Sequence, residues 1–258
     1  MRILPTLQSN VGSRIGRVMP NTADLKIKIF ADGADYDSMM KLYAEPYIRG
    51  FTTNPTLMRK AGIDDYEAFG RRILAAIPDR PISLEVFADD FASMEKQARV
   101  IASWGSNVNV KIPVTNTKGE FSGELIRRLS ADGIELNVTA VFSLDQVKRV
   151  TEALDLETPA IVSVFAGRIA DTGVDPEPLM TEALKIVESR PKAELLWASP
   201  RELLNIFQAD KIGTHIITVT HDLLKKLANV GYDLDEFSLD TVKMFYNDAE
   251  ASKFTIKC

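Results

Sequence analysis

An alternation of short β-rich runs and helix-spaced stretches, repeated eight times along one chain, predicts a single (β/α)8 TIM barrel with an extra C-terminal helix. Three observations carry the prediction. The stretches between candidate strands are long enough for the helical crossovers that parallel strands require. Turn-forming residues punctuate the joins, as at Pro78-Asp79, Gly105, Asp132-Gly133, Thr158-Pro159 and Gly213. The 258 residues, 45% of them hydrophobic and 26% charged, also provide the core of one large domain. An open doubly wound sheet is the competing architecture. Eight units in one domain favour closure, and neither the dinucleotide fingerprint nor the Walker A pattern occurs.

The strands are expected at 25–30, 48–52, 82–87, 108–114, 134–139, 160–165, 194–198 and 215–219, each rich in β-formers. Helical spacing of apolar residues places helices at 36–43, 66–77, 93–104, 120–131, 144–153, 178–189, 200–209 and 222–227. A last helix, 241–253, follows the eighth strand and caps the barrel or reaches a neighbouring subunit. The first twenty residues carry Arg2, Arg14 and Arg17 and no acid, without the apolar run of a secretory signal. Residues 1–22 are therefore expected to be a poorly ordered leader, or to precede a start at Met19, with residues 23–258 forming the barrel and its last helix.

Net charge is −5, which gives no general attraction to nucleic acid or to an anionic membrane, though it leaves room for a local basic pocket. No run approaches the length of a membrane span. The only cysteine is Cys258, so no intrachain disulfide forms and a reducing, cytoplasmic setting is expected. His215 and His221 stand six apart and do not make the i, i+4 pair of a zinc helix, so no metal is expected.

Lys111 lies inside the apolar run Val108-Asn109-Val110-Lys111-Ile112-Pro113-Val114. With a strand's period of two, the valines and isoleucine share one face, and Asn109, Lys111 and Pro113 share the other. Burial disfavours an ammonium, and a neutral amine in a closed site attacks carbonyls to form a Schiff base. The alternatives are a lysine paired with a buried carboxylate, or one snorkelling from a strand end. A barrel puts its catalytic groups on inward faces and at C-terminal strand ends, and polar residues fall there in step with Lys111. Asp32 ends strand one and Thr52-Thr53-Asn54-Pro55 ends strand two. Glu85 alternates with Leu84 and Val86, Asn137 and Thr139 with Leu136 and Val138, and Ser163 and Phe165 with Val162 and Val164. Strand seven closes with Trp197-Ala198-Ser199-Pro200-Arg201. Each also has a plain structural reading: a cap for Asp32, a turn for Asn54-Pro55, a β-former for Thr139.

The segments Ile29-Phe30-Ala31-Asp32, Thr52-Thr53-Asn54-Pro55-Thr56, Ser83-Leu84-Glu85, Val110-Lys111-Ile112-Pro113-Val114, Asn137-Val138-Thr139, Ser163-Val164-Phe165-Ala166-Gly167-Arg168 and Ala198-Ser199-Pro200-Arg201 resemble the transaldolase family of class I aldolases. The resemblance covers nearly everything after residue 24. It implies a cofactor-free transfer of a dihydroxyacetone unit from a ketose phosphate to an aldose phosphate. In that scheme Lys111 forms the Schiff base, Asp32 is the base for the C4 hydroxyl, and Glu85 and Thr139 hold a proton-shuttling water. Thr53, Asn54, Asn137, Ser163 and Phe165 line the three-carbon unit, and Arg168, Ser199 and Arg201 take the phosphate. Compact members of the family include fructose 6-phosphate aldolases, which carry glutamine and tyrosine where this chain has Glu85 and Phe165. Pro200 departs from the aromatic residue common between the serine and the arginine, which bears on how Arg201 is posed. Family members assemble as homo-oligomers, and the acceptor is left open between a pentose-pathway sugar and a longer or modified one.

Overall fold

The computed structural model describes residues 22–256. The leader expected at 1–22 lies outside them apart from Thr22, which opens a 3-10 turn, Thr22–Asp24. Leu25–Ala228 form one compact unit. Within it, β1 (Lys28–Asp32), β2 (Ile48–Thr52), β3 (Ile82–Glu85), β4 (Val108–Pro113), β5 (Leu136–Val141), β6 (Ala160–Val164), β7 (Ala193–Trp197) and β8 (Ile216–Thr220) pair in parallel and in order. β8 closes on β1, with Phe30 opposite Thr218 and Asp32 opposite Thr220, so the expected barrel is what the chain adopts.

The connecting helices are α1 (Tyr36–Tyr43), α2 (Pro55–Lys60), α3 (Tyr66–Ala76), α4 (Phe91–Ala102), α5 (Gly123–Ala131), α6 (Leu144–Ala153), α7 (Ala166–Ala170), α8 (Pro176–Val187), α9 (Leu204–Lys211) and α10 (His221–Leu224). Side chains of Asp35, Asn54, Asp65, Asp90, Ser143 and Asp175 accept from backbone N–H groups at the starts of α1, α2, α3, α4, α6 and α8. Each such cap contributes about 1 kcal/mol. A separate unit carries α11 (Leu234–Ser252), started by Asp233 and therefore earlier than the residue 241 expected. No helix among the described residues is long and apolar enough to cross a membrane.

Several boundaries differ from expectation because side chains take the backbone groups that a ladder or helix would use. β1 starts at Lys28, not at residue 25, since Asp210 accepts from the N–H groups of Lys26 and Ile27 at 2.7 and 2.8 Å. β3 stops at Glu85 because Gln97 accepts from the N–H groups of Phe87 and Ala88 at 2.7 and 2.8 Å. α9 begins at Leu204, not at residue 200, because Asn205 accepts from the N–H groups of Arg201 and Glu202. The short helices α2 and α7 were not expected at all, although Asn54-Pro55 is a cap followed by proline at the first helical position.

The alternation along the strands builds two cores. Ile29, Leu84, Val110, Ile112, Val138, Val162, Leu195, Trp197 and Ile217 pack outward against the helices. Phe30, Ile161, Leu196, Ala198 and Ile216 fill the barrel's interior, with Phe165 against them. Gly50 makes room for this plug, since a Cβ there would lie 2.6 Å from the Phe30 ring. Gly167 is constrained harder: its Cβ would sit 1.5 Å from the Ser199 carbonyl oxygen, and Ser199 itself has a φ of 58°. Neither backbone has a flexible side chain to yield. Gly167→Ala is expected to cost roughly 2–3 kcal/mol in urea denaturation, the scale of an overpacked core; an unchanged midpoint would mean that this loop moves aside freely.

Candidate active site

The C-terminal ends of the strands surround a cavity of about 530 Å³. Its lining includes Asp32, Asn54, Glu85, Lys111, Asn137, Thr139, Ser163, Phe165, Arg168, Ser199 and Arg201, each expected from the sequence to act there. Thr53 is the exception. It is fully buried and absent from the lining; its hydroxyl donates to the Ser83 carbonyl at 3.0 Å. Its carbonyl accepts from Lys111 Nζ at 2.8 Å, so it holds the lysine from behind rather than facing a ligand.

Lys111 is 7% exposed. Its Nζ lies 3.1 Å from Glu85 Oε2, and the two residues are partners in the β3–β4 register. Lys111 is thus both paired with a carboxylate and turned to a cavity, so the ion-pair and Schiff-base readings of it do not exclude one another. A lysine paired purely for structure would be packed over; this one opens onto a cavity shared with Asp32.

Asp32 ends β1, and burial pushes its carboxyl above the ordinary value. The charge of Lys111 and a hydrogen bond from Thr52 oppose that rise, and the charge of Glu85 adds to it. Thr52 Oγ1 donates to Asp32 Oδ1 at 2.7 Å, and its oxygen also meets the hydroxyl of Thr218. On the far side, Ser163 Oγ donates to Asn137 Oδ1 at 2.6 Å and Asn137 Nδ2 donates to Ser83 Oγ at 3.0 Å. Thr139 precedes Ala140, whose φ is 60°, where the β5–β6 register slips between Val138 and Val141. A bulge at a barrel rim re-aims side chains, and here Ala140 lines the cavity beside Thr139, which strand parity already turns inward.

The basic side of the mouth is uneven. Arg168 is exposed, stands 5.7 Å over the Phe165 ring and has no acidic partner among the described residues. Phe142 lies against Phe165 with ring centroids 5.6 Å apart. Arg201 is held by Asp171: Nε donates to Oδ1 at 2.9 Å and Nη2 to Oδ2. Sequence reasoning gave no role to Asp171, nor to Thr52, Thr218 and Ser83. The last three were findable, because strand parity carried inward from Gly50, Glu85 and Ile216 lands on them.

A family model for Transaldolase/Fructose-6-phosphate aldolase matches residues 29–256. The chain belongs to that family. A "Probable transaldolase" of Dehalococcoides mccartyi is 37% identical over 78% of this chain and 90% of its own length. A "Probable transaldolase" of Methanococcus maripaludis is 34% identical over 79% of this chain and 90% of its own. A crystal structure of KGPDC from Streptococcus mutans superposes with a TM-score of 0.51, covering 76% of this chain and 88% of that one. At 9% identity that likeness is one of fold alone.

A raised carboxyl is a stability statement with a definite sign. The folded state holds the Asp32 proton more tightly than the unfolded chain does, so ionising it weakens folding. The penalty is absent below the ordinary value of 3.8, grows as pH rises through it, and is complete above the folded value. Asp32→Asn should therefore raise Tm at pH 7, with the gain fading as pH falls from the folded value and gone below 3.8. A gain of equal size at acid pH would show that the substitution acts by packing.

Proposed function

We propose that this chain is a transaldolase, moving a dihydroxyacetone unit from a ketose phosphate to an aldose phosphate through a Schiff base on Lys111. The observation that carries this reading is Lys111 Nζ, buried at the cavity floor beside Glu85, with Asp32 in the same cavity. Family membership and the names of the relatives support the activity.

The chemistry follows from the placement. Lys111 attacks the ketose C2, and the carbinolamine loses water to give an iminium. Glu85 takes the proton that the amine releases, and with Thr139 it steadies the departing water. Asp32 then removes the C4 hydroxyl proton, the C3–C4 bond breaks, and its electron pair flows toward the iminium nitrogen to leave an enamine. The aldose phosphate departs and a second aldehyde accepts the enamine carbon, with Asp32 returning its proton. Hydrolysis frees Lys111. Asn54, Asn137 and Ser163 orient the hydroxyls of the three-carbon unit, since they bring donors and acceptors but no titrating group.

Phe165 bears on the fate of the enamine. Release as free dihydroxyacetone requires a proton at the enamine carbon, and Phe165 offers no hydroxyl to supply or relay one where the fructose 6-phosphate aldolases carry tyrosine. Transfer is favoured over the aldolase outcome on that ground. Arg168, with Ser199 and Arg201, supplies the anion site. A cytoplasmic setting is supported by the lone Cys258, and self-association by the exposed Phe237, Val242, Phe245 and Tyr246 on α11.

Fructose 6-phosphate with borohydride should leave a reduced three-carbon adduct on Lys111, and turnover without the reductant should need an aldose phosphate. An adduct on another lysine, or none, would sink the Schiff-base assignment; full cleavage without acceptor would replace transfer by aldolase activity. Arg168→Ala should lose roughly 2–4 kcal/mol in kcat/KM, chiefly through KM, and Arg168→Lys should recover only part because it lacks the fork. Steady-state kinetics with phosphorylated and unphosphorylated acceptors checks this: equal losses on both would place the phosphate elsewhere.

A further inference from the structure

Asp32, Thr52 and Thr218 stand on three adjoining strands, β1 between β2 and β8. All three line the cavity, and both threonines are more than nine-tenths buried. The directions of their hydrogen bonds follow from counting hydrogens. A hydroxyl has one to give. Thr52 gives its own to Asp32 Oδ1 at 2.7 Å, so the hydrogen between the two threonines belongs to Thr218. The chain runs Thr218 to Thr52 to Asp32.

We propose that Thr52 and Thr218 are positioning residues for Asp32, a two-hydroxyl donor chain that keeps Oδ1 an acceptor throughout the cycle and reserves Oδ2 for the substrate proton. The proposal rests on Asp32 being the base for the C4 hydroxyl. While Asp32 is ionised, Oδ1 accepts from Thr52. Once Oδ2 carries the proton, Oδ1 is the carbonyl oxygen of a neutral acid and still accepts from Thr52. No hydroxyl has to turn when the proton moves, so the environment is already arranged for both states. An unpinned carboxyl would share the proton between its oxygens and spend part of its time with the wrong one facing the substrate. Thr218 acts through Thr52, since accepting a hydrogen bond makes a hydroxyl a better donor.

The donor chain also sets the pH at which the base becomes active. The charged groups facing Asp32 are Lys111 from β4 and Glu85 from β3. Asp35, Lys60, His221 and Asp222 line the adjoining depression beside α1, α2 and α10. Against this fixed background, deleting a donor to the ionised carboxyl raises its pKa, and the acid limb of the rate moves to higher pH.

The test uses the full-length chain and its Thr52→Val, Thr218→Val, Thr218→Ser and Asp32→Asn variants. It measures the pH profile of kcat/KM for transfer from fructose 6-phosphate, and borohydride trapping of the same sugar. Thr52→Val should move the acid limb up by roughly 0.5–1 pH unit and lower kcat more than it raises KM. Thr218→Val should shift the limb the same way by less, and Thr218→Ser should restore it. Each threonine variant should still give the trapped adduct, which also shows that it folds. A wild-type acid limb in Thr218→Val, or a serine variant as impaired as the valine, overturns the proposal, because a purely structural threonine changes stability and not the limb. If Asp32→Asn transfers at the wild-type rate, the general-base reading itself falls. If it is inactive while the threonine variants keep the wild-type limb, only the donor chain does.

Discussion

Burying an ammonium is costly unless charge and hydrogen bonds meet it, and the arrangement around Lys111 is organised by that requirement. Glu85 meets it across the β3–β4 register, and the carbonyl of Thr53, the residue after β2, meets it from the next strand end. The second contact exists because β2 ends at Thr52 and α2 begins at Pro55. Between them the backbone leaves the ladder: Thr53 N–H still donates to the Ser83 carbonyl, while its own carbonyl turns to the lysine. The helix start that reads as a turn in the sequence is thus part of what holds the Lys111 amine.

Polarity inside the barrel weakens folding, and the outer core offsets it. A lysine, two carboxyls, two amides and a row of hydroxyls share the upper interior. Below them the Phe30, Ile161, Leu196 and Ile216 plug closes the interior with apolar surface. Around both, the fully buried Leu84, Ile112, Val138, Val162, Leu195 and Trp197 knit the strands to the helices. Each such side chain contributes roughly 1.5–3 kcal/mol by leaving water. The barrel can therefore carry a raised carboxyl at Asp32 because its stability is built on the other face of the same strands.

Strand parity made most of this legible in the sequence. Once Lys111 faces inward, Glu85, Asn137 and Ser163 must as well, and the closed register brings them together. The same rule divides Thr52-Thr53-Asn54, a single motif in the resemblance: parity from Gly50 puts Thr52 inside and Thr53 behind. What parity cannot reach are competitions between side chain and backbone at strand ends. Asp210 delays β1 and Gln97 ends β3 early, and both lie far along the chain from the groups they take. The Asp171–Arg201 pair is of the same kind, joining residues thirty positions apart through loops with no period of their own.

The basic side of the mouth is one body rather than a set of independent side chains. Gly167 N–H donates to the Ala198 carbonyl, and the Ser199 carbonyl presses against the Gly167 Cα, tying α7 to the loop after β7. Arg168 follows that glycine, and Arg201 follows that loop. Asp171, at the end of α7, then clasps Arg201 through two of its five donors, leaving the other edge of the guanidinium available. A carboxylate that grips the Nε side sets the plane of the fork without using it up. Pro200 removes an N–H from the same loop and fixes its φ, so Arg201 reaches its place through a rigid backbone and a clasp, where Arg168 reaches its own by resting on Phe165. The two arginines are held by different means, on segments that the contacts at Gly167 tie together.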